Sequence, residues 1–302
     1  MNQSSLVTVN ILSFNRKDEL RNTLNKVYEQ DYKNIEVIVV DNASSDGSQE
    51  MVEREFSSVH LIKLKKNIGI AGWNEGFKIA NGEYVLVLDD DSYPEEYAIE
   101  IAVNEISSNQ LYGIIAFSVF NLERKEYETQ NFIEGEVKAF IGCGALIRKT
   151  LFSIVGFYSE LFFIYLHEED FCIRVIDKGY RILFFPKSKV IHLNSKKNRM
   201  INSSKVDKRR YYYGLRNILI FLFLYFNTSK VLTRMIKISI GRILFGISHG
   251  CFFAAINAIL SFLYHMVNIY KQRSVVSIQT QEYFQYGRIL GGILYWEDKK
   301  NK

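Results

Sequence analysis

Apolar and polar residues follow two different periods along this chain, and the change of period organises it. In the first half, short β-branched runs at residues 6–12, 35–40, 59–64 and 84–88 read as buried strands. Between them, residues 16–29, 48–56 and 71–80 place apolar side chains at helical spacing, with Asp46 or Ser48 available to cap the second helix. Strands alternating with helices predict an α/β fold: a doubly wound, mostly parallel sheet with crossover helices. After residue 113 the pattern is mixed, with strands expected at 114–120, 136–140, 145–147, 181–185 and 189–191 and a helix at 168–178. From Lys205 to about Arg273 the chain turns into long aromatic and aliphatic helices with interspersed basic residues, followed by a polar tail of strand or coil. The expected division is therefore an α/β unit over 1–204, with halves at about 1–112 and 113–204, and a helical region over 205–302.

In doubly wound sheets, ligands collect at the carboxyl ends of the strands. Three polar clusters fall there: Ser13-Phe14-Asn15-Arg16, Asp41-Asn42-Ala43-Ser44, and the triplet Asp89-Asp90-Asp91 in VLVLDDDSYPEE. Adjacent carboxylates repel, and no Lys or Arg stands among the residues beside the triplet. Two carboxylates two residues apart on a strand point to the same side, so Asp89 and Asp91 can share one divalent ion that offsets the repulsion. The alternative is a turn or helix start before Pro94, where Asp is a common cap.

Composition narrows the classes further. Of 302 residues 48% are apolar and 24% charged, which suits a packed core and excludes wholesale disorder. The net charge of +5 is mild and gives no reason to expect nucleic acid as a partner. The basic residues nevertheless cluster, from Lys187 through Lys189, Lys196, Lys197, Arg199 and Lys205 to Lys208, Arg209 and Arg210. Cys143, Cys172 and Cys251 are widely spaced, with no CxxC, and read as reduced thiols. The opening MNQSSLVTVNILSF shows no basic-then-apolar leader, so a cytoplasmic protein is expected.

Taken in order, VTVNILSFNR, VIVVDNASSDGS, NIGIAGWNEG, YVLVLDDDS and the series FIYLHEEDFCIRV…GYR…H resemble the family 2 glycosyltransferases of the GT-A fold, in particular the bacterial rhamnosyl- and galactofuranosyltransferase-like members. The resemblance covers roughly residues 6–195, with a weaker echo at RRYYYGLRN. It implies an inverting transferase whose donor is a dTDP- or UDP-sugar and whose diphosphate leaves with help from Mn²⁺ or Mg²⁺. On that basis Asp91, Asp89 and His192 would hold the metal, with Asp89 or Asp90 also near the ribose. Two oxygens and an imidazole suit Mn²⁺ at least as well as Mg²⁺. Asp41 would accept from the nucleobase, with Ser13, Asn15 and Asn42 lining the same crevice. Gly69 and Gly72 would let backbone approach the diphosphate or sugar beside Asn74; helix-on-strand packing would explain the same glycines.

An inverting transfer also needs a base on the acceptor hydroxyl. The resemblance places it within Glu168, Glu169 and Asp170: aligning Asp170-Phe171-Cys172-Ile173-Arg174 to the end of the family pattern makes Glu168 the first choice, while His167 at the position of the family's first acid is a departure that leaves the three open. The plain alternative is acids decorating a helix N-terminus. Arg174 could orient one of them, and Gly142-Cys143-Gly144 falls where the family forms part of its acceptor side.

In the C-terminal region the apolar run at 218–226 is too short to span a bilayer, and that at 251–270 is interrupted by Asn257, His265 and Asn268. Amphipathic helices at the inner face of the cell membrane, near a glycan or lipid-linked acceptor, are the expectation; packing on the catalytic unit or a homodimer is the alternative. Competing classes are weaker. A nucleotidyltransferase would want a glycine-bearing phosphate loop after the first strand, and SFNRKDEL has none. A nicotinamide-dependent reductase would want its glycines after that same strand. A non-catalytic scaffold would not need the acids.

Overall fold

The computed structural model describes residues 4–129, 132–193 and 206–286. The N-terminal half runs β1 (Val7–Ser13), α1 (Lys17–Tyr28), β2 (Ile35–Asp41), α2 (Ser48–Glu55) and β3 (His60–Lys63). A 3-10 turn at Gly69–Gly72 then leads into α3 (Trp73–Ile79) and β4 (Tyr84–Asp89). After these come β5 (Ser92–Pro94), α4 (Ala98–Ser108), β6 (Tyr112–Asn121), β7 (Glu126–Tyr127), β8 (Gly135–Glu136) and β9 (Ala145–Arg148). Next are α5 (Thr150–Val155), α6 (His167–Asp177) and β10 (Arg181–His192). The C-terminal helices are α7 (Lys208–Tyr225), α8 (Thr228–Ser248), α9 (Phe252–Tyr264), α10 (Met266–Lys271) and α11 (Ile278–Tyr286).

All ten strands among the described residues belong to one sheet ordered β3-β2-β1-β4-β9-β6-β10-β5, with β7 and β8 added on β6 and β10. The first four are parallel; β9 enters antiparallel between β4 and β6, and β10 runs parallel to β6. The fold is the expected α/β type with an added helical region, its sheet parallel-rich and mixed beyond β4.

Four local expectations change. The strand expected at 136–140 is confined to Gly135–Glu136, with one more bond to β10 from Val137 N–H to Ile182 O (3.0 Å), after which Ala139 and Phe140 are buried in the core. The two strands expected at 181–185 and 189–191 are one strand, β10, carrying an irregularity between Phe185 and Lys189 where Pro186 cannot donate to a ladder. The tail expected to be strand or coil contains helix α11. Helix α4, absent from the expected pattern, buries Ile99, Ala102, Val103 and Ile106 on one face. Of the basic cluster, Lys196, Lys197, Arg199 and Lys205 lie outside the described residues.

Alternation along the strands divides the core. On β2, Val37 and Val39 face α1, α2 and α4, whereas Ile38 and Val40 face α3, α5 and α6. The second face does not stop at α6. Leu215, Ile218 and Phe221 of α7, Ala255 and Ala258 of α9 and Phe284 of α11 continue the same buried cluster, so the helical region is seated on the sheet's second layer.

Candidate functional site

The three polar clusters meet because their strands are neighbours. Ser13 pairs with Asp41 across β1 and β2, and Leu12 with Asp89 across β1 and β4. His192 reaches the same corner from β10, where it lies opposite Ser92, the residue after Asp91.

Asp91 is fully buried, and its Oδ2 lies 2.6 Å from Arg16 Nη1, which also lies 3.2 Å from Asp90 Oδ1. The triplet, without a Lys or Arg beside it in sequence, thus has a cationic neighbour in space. Arg16 is distant in sequence but follows the neighbouring strand, and its guanidinium offsets part of the repulsion. Burial pushes the Asp90 carboxyl up to about 8, with Asp91 adding to it and Arg16 opposing it. Phe14 N–H donates to Asp90 Oδ2 (3.0 Å). Asp90 is thus turned toward the β1–α1 loop and away from His192.

The other Asp91 oxygen, Oδ1, lies 3.4 Å from His192 Nε2, and His192 Nδ1 lies 3.6 Å from Glu128 Oε1. Both separations exceed an ordinary hydrogen bond. The first is close to what a shared cation imposes: two ligand atoms each about 2.1 Å from an ion at 90–110° stand about 3.0–3.4 Å apart. Asp89, Cys143 and His192 also offer ligand atoms that all lie within 4.8 Å of one another. Carboxylates and an imidazole at these spacings fit a divalent ion. Burial lowers the His192 pKa, but the Asp91 and Glu128 carboxylates outweigh it and raise the imidazole to about 9. Glu128 is itself held by Asn121 Nδ2, which donates to Oε1 (2.8 Å).

Of the residues expected around the donor, Asp41 Oδ1 accepts from Ser44 N–H (2.8 Å) and Gln49 Nε2 (2.5 Å). Asp41 Oδ2 and Ser13 Oγ are buried and have no hydrogen-bond partner among the described residues. They are a carboxylate oxygen and a hydroxyl at the crevice end of β1 and β2 whose hydrogen-bonding capacity is unused. Asn15, at a left-handed φ of 54°, accepts from Ser45 N–H through Oδ1 (2.8 Å), tying the loops after β1 and β2. Asn42 holds backbone on both sides, donating to Gly69 O (3.0 Å) and accepting from Ile68 N–H (2.9 Å). Asn74 does the same with Tyr158 N–H and O, at 3.0 and 2.9 Å. A Cβ on Gly69 would stand 2.0 Å from Phe163 O, and one on Gly72 2.5 Å from Leu12 Cδ1. Both glycines thus answer to close packing.

The acids at the start of α6 separate by environment. Asp170 is fully buried and both oxygens are engaged, Oδ2 by Arg174 Nη2 (2.7 Å) and Oδ1 by Tyr225 Oη (2.5 Å). It is a structural anchor. Burial pushes the Glu169 carboxyl up to about 8, with the Glu168 charge adding to it. Glu168 goes the other way: burial raises it, but His167, whose Nδ1 is 3.0 Å from Glu168 Oε2, draws it below the ordinary carboxylate value. Glu168 faces Gly142, where a Cβ would stand 2.7 Å from Oε1. Gly142 is followed directly by Cys143 of the cation cluster, so two consecutive residues join the two acidic groups.

Helix α7 holds the segment leading into α6. Arg216 Nη1 donates to Leu161 O (2.8 Å), and Asn217 Nδ2 donates to Ile164 O (2.8 Å) and Tyr165 O (3.1 Å). The next two residues of that segment, Tyr165 and Leu166, adopt φ of 68° and 61°, left-handed values that non-glycine residues keep only when surroundings enforce them. Glu128 and Tyr225 received no role from sequence, Arg16 entered only as a member of a polar cluster and Cys143 only within the acceptor-side segment; Arg216 and Asn217 lie in the RRYYYGLRN echo, the one advance signal for this contact.

The family model described as Glycosyl transferase family 2 matches residues 8–170, more than half of the chain. The Escherichia coli UDP-Glc:α-D-GlcNAc-diphosphoundecaprenol β-1,3-glucosyltransferase WfaP is 28% identical over 190 residues, 58% of this chain and 72% of its own. The Shigella flexneri dTDP-rhamnosyl transferase RfbF is 26% identical over 226 residues, 68% of this chain and 76% of its own. Among solved structures, the Pyrobaculum calidifontis mannosyltransferase in complex with GDP-Man and Mn²⁺ superposes with a TM-score of 0.59 at 17% identity, covering 94% of this chain and 79% of that one. That likeness concerns the fold.

Proposed function

The chain belongs to glycosyl transferase family 2, and on that footing we propose that it moves a sugar, with inversion, from a UDP- or dTDP-linked donor to a hydroxyl of a glycan or lipid-linked acceptor in bacterial surface polysaccharide synthesis. The observation that carries this reading is the join at Gly142-Cys143, with the cation corner of Asp89, Asp91 and His192 on one side and the Glu168 carboxylate on the other. Asp41 and Ser13 receive the nucleoside. A bound Mn²⁺ or Mg²⁺ supplies positive charge to the departing diphosphate. Glu168 takes the acceptor proton as the acceptor oxygen bonds to the anomeric carbon and the bond to the diphosphate oxygen breaks. Neighbouring acids driven apart in pKa support these roles, with Glu168 held below the ordinary carboxylate value as a base requires and Glu169 pushed up to about 8. A panel of nucleotide-sugars tested for cation-dependent turnover decides the donor; no turnover with any of them would defeat the reading.

Glu128 stands behind His192 as a carboxylate behind a metal-binding imidazole, fixing its ring. Glu128→Gln is expected to weaken Mn²⁺ binding about 10- to 100-fold, read by titration of the full chain. Unchanged binding would remove Glu128 from the site.

The helical region supports a membrane-surface role. No helix among the described residues is long and apolar enough to cross a membrane. On α8, however, Leu232, Ile236, Ile240, Leu244 and Ile247 recur at spacings of four and three and are exposed, Leu244 at 61%. Tyr264 (84%) at the end of α9 and Val267 (71%) on α10 are likewise exposed. Between Asp207 and Glu282 the chain has no acidic residue, while Arg234, Lys237, Arg242 and Lys271 are interspersed. Exposed apolar ridge plus unbalanced positive charge fits an anionic lipid surface. The glucosyltransferase relative is named for a diphosphoundecaprenol-linked substrate, which is consistent with an acceptor in that surface. Sedimentation with anionic liposomes is expected to weaken as salt rises; indifference to lipid charge and salt, with a concentration-dependent dimer, would assign the ridge to a second copy.

A further inference from the structure

Cys143 stands where hard-cation chemistry has no use for it. Oxygen donors suit Mg²⁺ and Mn²⁺, whereas a thiolate selects softer or borderline ions such as Zn²⁺. The cysteine is 98% buried and offers its sulfur within 4.8 Å of ligand atoms on Asp89 and His192. Its position is built. Gly144 N–H donates to Ile141 O (3.0 Å), closing a turn over Ile141–Gly144, and Gly144 O accepts from Phe117 N–H (3.0 Å) of β6. On either side the turn is packed tightly, a Cβ at Gly142 meeting Glu168 Oε1 at 2.7 Å and one at Gly144 meeting Val190 Cγ2 at 3.2 Å. His192 is 6% exposed, and neither ring nitrogen makes a hydrogen bond of ordinary length. A tetrahedral ion with Zn–S about 2.3 Å and Zn–N and Zn–O about 2.1 Å would gather the three donors by shifts of about 1 Å and keep a fourth position open.

We propose that Asp89, Cys143 and His192 form a thiolate-bearing site for a borderline-soft divalent ion, Zn²⁺ above all, which competes with the hard cation of the transfer reaction for the same corner. On binding, the thiol proton leaves to solvent and a sulfur–metal bond forms; no electron is transferred. Zn²⁺ is then expected to bind more tightly than Mn²⁺ and to exclude it. The proposal rests on the cation reading of this corner and is independent of glycosyl transfer itself.

The test uses the full chain stripped of metal and titrated with Co²⁺, a spectroscopic stand-in for Zn²⁺. A sulfur-to-cobalt charge-transfer band is expected, bleached by added Zn²⁺. Cys143→Ser is expected to abolish the band and to weaken Zn²⁺ binding about tenfold or more, with Mn²⁺ binding nearly unchanged. A Cys172→Ser, Cys251→Ser double variant should keep the band. Mn²⁺ binding without any band, or a band that survives Cys143→Ser, overturns the thiolate site and leaves the cation corner standing. Failure of every cation to bind overturns both.

Discussion

Asp91→Ala is expected to lower donor turnover about a thousandfold or more, a loss of about 4 kcal/mol of transition-state stabilisation, with the fold retained. The reasoning starts from position. Asp91 sits one residue from the β5–β10 pairing that brings His192 opposite Ser92, so its Oδ1 and the imidazole face each other at 3.4 Å. Removing the carboxylate removes one of the donors proposed to hold the cation and leaves Arg16 with Asp90 as its remaining close partner. Asp91→Asn keeps the shape while removing the charge, and should lose nearly as much activity with a smaller change in melting temperature. Turnover within a few-fold of the parent in either variant, at saturating Mn²⁺, would sink the cation argument.

Glu168→Gln is the second large effect. Donor and cation binding should persist, because Glu168 faces Gly142 and His167 and is not among the residues proposed to hold the cation or the nucleoside. Transfer should fall about 10²- to 10⁴-fold, the usual contribution of a positioned base. The pH dependence has a definite sign. The folded pKa of Glu168 is depressed, so the base is ionised through the neutral range, and activity on its account declines only as pH drops below the ordinary carboxylate range. Asp170→Asn should behave differently. With both oxygens bound by Arg174 and Tyr225, its loss should show first as reduced stability, about 1–3 kcal/mol. An Asp170→Asn protein that melts normally yet cannot transfer would move the base to position 170.

The sequence was most legible where one period persisted. Strands β1, β2, β3 and β4 appear within a residue or so of their apolar runs, and for β1, β2 and β4 the reason is burial on both faces, which leaves few alternatives. Their order then forces Ser13, Asp41 and Asp89 together, and that corner could be anticipated without coordinates. What could not be anticipated depends on side chains crossing between strands or layers. Arg16 reaches Asp91 from the neighbouring strand end, Glu128 reaches His192 from a hairpin, and Cys143 arrives on a turn whose glycines read equally as acceptor-side backbone. Asn42, Asn74, Gly69 and Gly72 carry polarity or freedom that a ligand could use, yet they are occupied in bracing the loops that frame the crevice. The pattern of residue types is the same in both cases; only the register of the packed layers tells them apart.

The grip of α7 on the segment before α6 has a practical consequence. Arg216 and Asn217 cap three carbonyls of residues 161–165, and Tyr225 satisfies the buried Asp170 carboxylate. A shortened protein ending before Asp207 would surrender those donors together with the apolar cover of Leu215, Ile218 and Phe221. Anyone trimming the polypeptide to isolate a minimal transferase should therefore expect aggregation or an inert fragment, and should place the cut no earlier than the last turn of α11.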